Sequence, residues 1–213
     1  MVEKDKIQEK MNTKESIEQI ALSLFSKRGY NAVSIRDICK EVGIKESTIY
    51  YYFQNKRAIM DSVLNKINLM IDEMRGQFNA TFELVTEVDE NAMCEVAVAF
   101  LMNYFLNPYV CQMIAVLSIE RMADQNAQEV YHKIVFELPL QQQEKVFQKM
   151  MDRGYISVNS PNVLAQEYYA VIYFAFQKNC LGCSITNESI QLACEEIRAN
   201  VKDIYKKMRR ELC

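Results

Sequence analysis

Few residues in this chain can stop a helix, and they stand far apart. Across 213 residues there are five glycines and three prolines, and the stretches from Gly43 to Gly76, Gly76 to Pro108 and Gly182 onward contain neither between their ends. Within those stretches apolar residues recur every three or four positions, the spacing of one helix face. The chain is therefore read as all-α, with about nine helices. Half of its residues are hydrophobic, enough for a sizeable core, and a quarter are charged.

The helix ends can be read from their caps. A first helix is expected from Thr13 to Arg28, with Ile17, Ile20, Ala21, Leu24 and Phe25 inward and Gly29 as its stop. Ser34, with Asp37 three residues on, has the form of a capping box for a second helix whose Ile35, Ile38, Cys39 and Val42 face inward. Gly43 supplies the left-handed stop. A short third helix follows from Lys45 to Tyr51 or Phe53, so the N-terminal unit has the form of a helix-turn-helix. Asn55 caps a fourth helix, striped by Ile59, Val63, Ile67, Met70 and Met74 and ending at Gly76. Further helices are expected over Val85–Leu106, Pro108–Met122, Asn126–Arg153, Pro161–Asn179 and Asn187–Arg210. Pro139 should kink or break the third of these. The domains are read as 9–56 (helix-turn-helix), 57–76 (connecting helix) and 77–213 (body).

The segment Thr48-Ile49-Tyr50-Tyr51-Tyr52-Phe53 raises a question about partners. Neighbours on a helix are about 100° apart, so consecutive rings cannot all face one core. Ile49 and Phe53, four apart, can pack inward, which leaves Tyr50 and Tyr51 on the other side. The charge balance points the same way. The net charge is −3, yet residues 1–60 hold eleven Lys/Arg against eight Asp/Glu, while the rest of the chain carries −6. A mildly basic end on an acidic body suits contact with a polyanion.

Other functions find little support. A single histidine, His132, no nucleophile elbow, no Gly-rich phosphate loop and no metal-ligand cluster argue against an enzyme and against any cofactor or metal. The seven cysteines are scattered and read as reduced thiols. Cys180 and Cys183 form a CxxC, but a zinc site needs four ligands and a second CxxC is absent. The longest apolar run, Tyr168 to Phe176, is far shorter than the roughly 20 residues of a membrane span. A cytoplasmic protein without membrane contact is expected.

Thr13 to Leu64, in particular ALSLFSKRGYNAVSIRDICKEVGIKESTIYYYFQNKRAIMDSVL, resembles the N-terminal domain of the TetR family of bacterial transcriptional regulators. The resemblance implies binding to a palindromic operator in double-stranded DNA, with the third helix in the major groove. Lys45, Glu46, Ser47 and Thr48 would then meet base edges, and Tyr50, Tyr51 and Tyr52 the backbone and thymine methyls. Ser34, Arg36 and Lys56 would anchor phosphates at helix N-termini. Glu46 departs from the family pattern. A carboxylate repels phosphate but can accept from cytosine N4.

The resemblance also implies that the body binds a small effector and forms a homodimer through its last two helices. Phe100, Tyr104, Tyr109, Met113, Glu120, Phe136 and Tyr169 are the expected effector contacts, with plain core packing as the alternative. Glu120 is also a candidate counter-charge for a cationic ligand. Tyr168, Ile172, Tyr173, Phe176, Ile197, Val201 and Ile204 are the expected dimer contacts. Repression released by a small apolar or aromatic molecule is the expected mode. A body that binds another protein is the alternative.

Overall fold

The structure, a computed structural model, describes residues 2–83, 88–156, 160–182 and 184–210. Its α-helices are α1 (Val2–Arg28), α2 (Ile35–Val42), α3 (Glu46–Tyr52), α4 (Lys56–Glu83), α5 (Glu90–Phe100), α6 (Pro108–Glu120), α7 (Gln125–His132), α8 (Leu138–Asp152), α9 (Pro161–Asn179) and α10 (Asn187–Arg210). A π turn, Leu101–Phe105, extends α5, and another, Lys133–Glu137, joins α7 to α8. Counted as continuous runs, these make nine helices among the described residues, with no strand. No single described helix is long and apolar enough to cross a membrane.

Contacts divide the chain into two compact units. The head comprises Met1–Glu73 and Pro108–Gln128, and the body Met74–Asn107 and Glu129–Cys213. The expected body, residues 77–213, is thus interrupted, because α6 groups with the head. The head core consists of Ile17, Ala21, Leu22 and Phe25 of α1, Ile38 of α2, Ile49 of α3, Ile59, Val63 and Ile67 of α4, and Met113 and Ile114 of α6, all almost fully buried. In the body, α9 packs on α8 and α10, and α10 also packs on α5. There Phe105 stacks on Phe176 with ring centroids 4.5 Å apart.

Several helix ends differ from expectation. The first helix begins at Val2, not Thr13. α4 runs through Gly76 to Glu83. A mid-helix glycine costs only about 1 kcal/mol, and the period continues beyond it in Phe78 and Phe82, whose rings stack at 6.1 Å. α5 starts later than expected, where the Asp89 carboxylate accepts from Ala92 N–H at 2.7 Å. Val85 lies outside the described residues, as do Cys183 and Cys213.

Pro139 does not end its helix. It has no N–H to give to the carbonyls four and five residues earlier, those of Val135 and Ile134. The π turn lies there, with Leu138 N–H bonded back to Lys133 O. Side chains from elsewhere in the body serve the two carbonyls: Tyr104 donates its hydroxyl to Ile134 O at 2.7 Å, and Tyr169 donates to Val135 O.

Candidate nucleic-acid interface

α3 is seven residues long and is held from one side. Ile49 is fully buried and Phe53, its C-cap, nearly so. The opposite side carries Ser47, Tyr50 and Tyr51, spaced three and four apart, so they share a face. Tyr50 is 53% exposed and Tyr51 63%. Tyr52 is half-buried, and Tyr51 meets it edge-on with centroids 5.1 Å apart. Exposed aromatic rings on a short, firmly seated helix offer flat apolar area at small entropic cost, and each hydroxyl can donate to a phosphate oxygen.

The turn before α3 is built as its residues dictate. Gly43 adopts φ 78° and closes α2, its N–H bonding to Cys39 O at 2.9 Å. Lys45 is the N-cap of α3 and is exposed, with no side-chain cap bond. Glu46 and Thr48 are half-buried. Glu46 Oε1 accepts from Arg36 Nε at 2.8 Å, so the unusual carboxylate and the extra arginine neutralise each other.

Two expected anchors are engaged within the head. The capping box at Ser34 is present: Asp37 N–H donates to Ser34 Oγ at 3.2 Å, while the Ser34 backbone N–H and hydroxyl donate to Asp37 Oδ2 at 2.8 and 2.6 Å. Those bonds, aided by Arg28 nearby, hold the Asp37 carboxyl below its usual range. The Ser34 proton therefore goes to Asp37. Lys56 Nζ donates to Tyr30 O at 2.7 Å and Val33 O at 2.8 Å and lies 4.2 Å from the Tyr30 ring centroid. Burial lowers its pKa, against the pull of Glu120. Lys56 thus ties down the α1–α2 turn and is not an open phosphate anchor.

Sequence reasoning missed the other half of that fastening. Glu120, expected to meet a ligand, accepts from Tyr30 N–H at 2.9 Å and Asn31 Nδ2 at 2.8 Å. Gly29 makes this approach feasible. It has φ 82°, and a Cβ there would stand 3.3 Å from Glu120 Oε1. Tyr109 and Met113, also expected at the effector, belong to the head too. Lys66 Nζ donates to Tyr109 Oη at 2.9 Å, and Met113 is fully buried. Partners some ninety residues apart leave no local mark in a sequence.

Of the remaining effector candidates, Tyr104 and Tyr169 are buried in the body, while Phe100 and Phe136 are half-buried there. Phe100 stacks on Tyr104 at 4.9 Å and meets Tyr169 at 6.2 Å, and Phe136 packs on Tyr173 at 5.4 Å. Burial pushes the Tyr104 and Tyr169 hydroxyls far above their ordinary pKa, so both stay protonated as donors. Of the dimer candidates, Tyr168, Ile172, Phe176, Ile197, Val201 and Ile204 are buried within one protomer, and Tyr173 is half-buried with its hydroxyl 2.9 Å from that of Tyr131.

Residues 19–63 match the family model described as bacterial regulatory proteins, tetR family. Over these residues the chain is similar to the helix-turn-helix segment of the TetR family. The matched residues run from within α1 to the first turns of α4 and include all of α2 and α3. The chain is 34% identical over 88 residues to IcaR of Staphylococcus epidermidis, named as the HTH-type negative transcriptional regulator of the biofilm operon icaADBC, which covers 36% of this chain and 48% of that one. It is 26% identical over 128 residues to the HTH-type transcriptional regulator AcrR of Shigella flexneri, covering 56% of this chain and 59% of that one. The chain thus spans about half the length of the curated relatives it matches. A putative TetR-family regulator from Mesorhizobium loti has the same fold over 93% of this chain and 97% of its own, at 16% identity and a TM-score of 0.71.

Proposed function

We propose that this protein is a sequence-specific transcriptional regulator, a repressor that binds a palindromic operator as a homodimer and is released by a small apolar molecule. The observation that carries the DNA-binding part is the outer face of α3. Tyr50 and Tyr51 are exposed there beside Ser47 and Lys45, while Ile49 and Phe53 fix the helix from behind. Ser47, Thr48 and Lys45 meet base edges, and the two exposed tyrosines meet backbone and thymine methyls. Tyr52 steadies Tyr51. Arg36 reaches phosphate with Glu46 as its local counter-charge, and Ser34 and Lys56 act by holding the turn in shape.

Dimer contacts fall on the outer faces of α9 and α10. Val163, Ala170 and Phe174 share one exposed stripe of α9, with Phe174 58% exposed, and Leu192 and Ala199 share one on α10. Paired about a two-fold axis, such stripes would bury apolar surface that one protomer leaves in water. α4 has residues in both units and is the transmitter in this reading. An effector then lowers DNA affinity by as much as it prefers the state that does not fit the operator.

The test is DNA binding by purified protein at near-physiological salt, comparing wild type with Tyr50→Ala/Tyr51→Ala and Phe174→Glu. Selective binding to a palindrome should need all three side chains. Binding equal for all sequences would sink the proposal. A second reading, in which the body binds another protein, draws on the small size of the apolar cleft between α4, α5, α8 and α9, about 80 Å³. Capture of a protein partner by the body that leaves the dimer intact would favour it.

A further inference from the structure

That small cleft has a chemical character of its own. Phe78, Phe82, Met93, Val146, Phe147 and Met150 form most of its wall, and none of the lining residues is charged. Two side chains bring polar atoms. Tyr168 has spent its hydroxyl, which donates to Met93 O at 2.9 Å. Gln143 has not. It is only 5% exposed, lines the cleft, and its amide makes no hydrogen bond with another described residue.

The amide of Gln143 opens onto the cleft. Gln143 offers an N–H₂ donor and a carbonyl acceptor inside an otherwise apolar wall. A carboxylate or ammonium entering here would lose its water and find no opposite charge. A neutral molecule with one polar group would satisfy the amide and place its hydrocarbon against Met93, Phe147 and Met150. The volume, about 80 Å³, is near half that of a cavity of about 150 Å³ known to take benzene. The guest is therefore short, unless Phe78, only half-buried, gives way.

We propose that this cleft binds a short, uncharged amphiphile such as an alcohol or ketone, held by Gln143 through its polar group. As a regulatory site it rests on the effector reading above; as a binding site it does not.

The test uses the full chain with its methionine methyl groups labelled for NMR, titrated with 1-butanol, butyrate and butylammonium in turn. Met93 and Met150 should shift saturably with 1-butanol and not with either ion. Gln143→Leu, which keeps the volume and removes the amide, should weaken 1-butanol binding roughly tenfold while the protein remains folded. No saturable shift with the alcohol, equal binding by the ions, or unchanged affinity in Gln143→Leu would overturn the proposal. DNA retention measured on the same samples separates the two readings. Saturation without DNA release upholds the cleft and counts against this site as the regulatory one. Release by some other compound, with both methyls silent throughout the 1-butanol titration, overturns the cleft and leaves the effector reading standing.

Discussion

On α3 of the head, Tyr50 and Tyr51 stand exposed, each more than half in solvent, whereas in the body Tyr104, Tyr168 and Tyr169 are almost fully buried. Each of those three buried hydroxyls donates to a main-chain carbonyl, of Ile134, Met93 and Val135 respectively. The same side chain thus serves two ends. Outside, its ring faces solvent. Inside, the hydroxyl must find an acceptor, and a main-chain carbonyl serves. Pro139 has no N–H for two such carbonyls, and Tyr104 and Tyr169 donate to them instead.

The largest effect should come from emptying the inner positions. Tyr104→Phe/Tyr169→Phe leaves two buried carbonyls without donors and should lower stability by about 3 kcal/mol in urea melts. The folded fraction should keep its DNA affinity. A loss under about 0.5 kcal/mol would mean that the carbonyls have other partners and that the contrast with the head fails. The outer pair should behave in reverse. Tyr50→Ala/Tyr51→Ala should leave stability within about 0.5 kcal/mol yet weaken operator binding by about 2 kcal/mol, roughly thirtyfold in Kd. Equal damage to stability would show that these rings are structural.

Smaller effects sharpen the contrast. Gln143→Leu replaces a cleft-lining amide with an apolar side chain of similar size and should raise stability by about 1 kcal/mol, read as a higher urea midpoint. A lower midpoint would mean that the amide is paired in solution. Glu46→Ala breaks an exposed ion pair worth less than about 1 kcal/mol, so folding should hardly change. Freed from Glu46, Arg36 should steepen the dependence of log K on log salt by about one unit. A change of preferred base at one operator position, with no change in slope, would place Glu46 in the groove instead.

The head was legible where its determinants are local. The Ser34–Asp37 box, the Gly43 stop and the inward Ile49 and Phe53 each depend on residues within a turn or so, and all are present. Ser160 and Pro161 marked the start of α9 for the same reason. Gly76 misled because glycine only weakens a helix, while Phe78 and Phe82 beyond it continue the period. The site residues that went astray depend on distance in sequence. Nothing near Glu120 says that it holds the Tyr30–Asn31 turn. Nothing in α9 alone says whether its broad apolar surface meets α8, α10 or a second chain. The pairing of Arg36 with Glu46 also crosses the turn between two helices, and each residue read alone suggested a separate role.

The most direct test is recovery of fragmented DNA from the source genome by purified wild-type protein and by Tyr50→Ala/Tyr51→Ala, at near-physiological salt, with the bound fragments sequenced. The account predicts that wild type enriches one or a few palindromic sites and that the variant, equally folded, loses them. Diffuse recovery by both proteins, or the same sites recovered by both, would contradict the claim that the exposed face of α3 reads DNA.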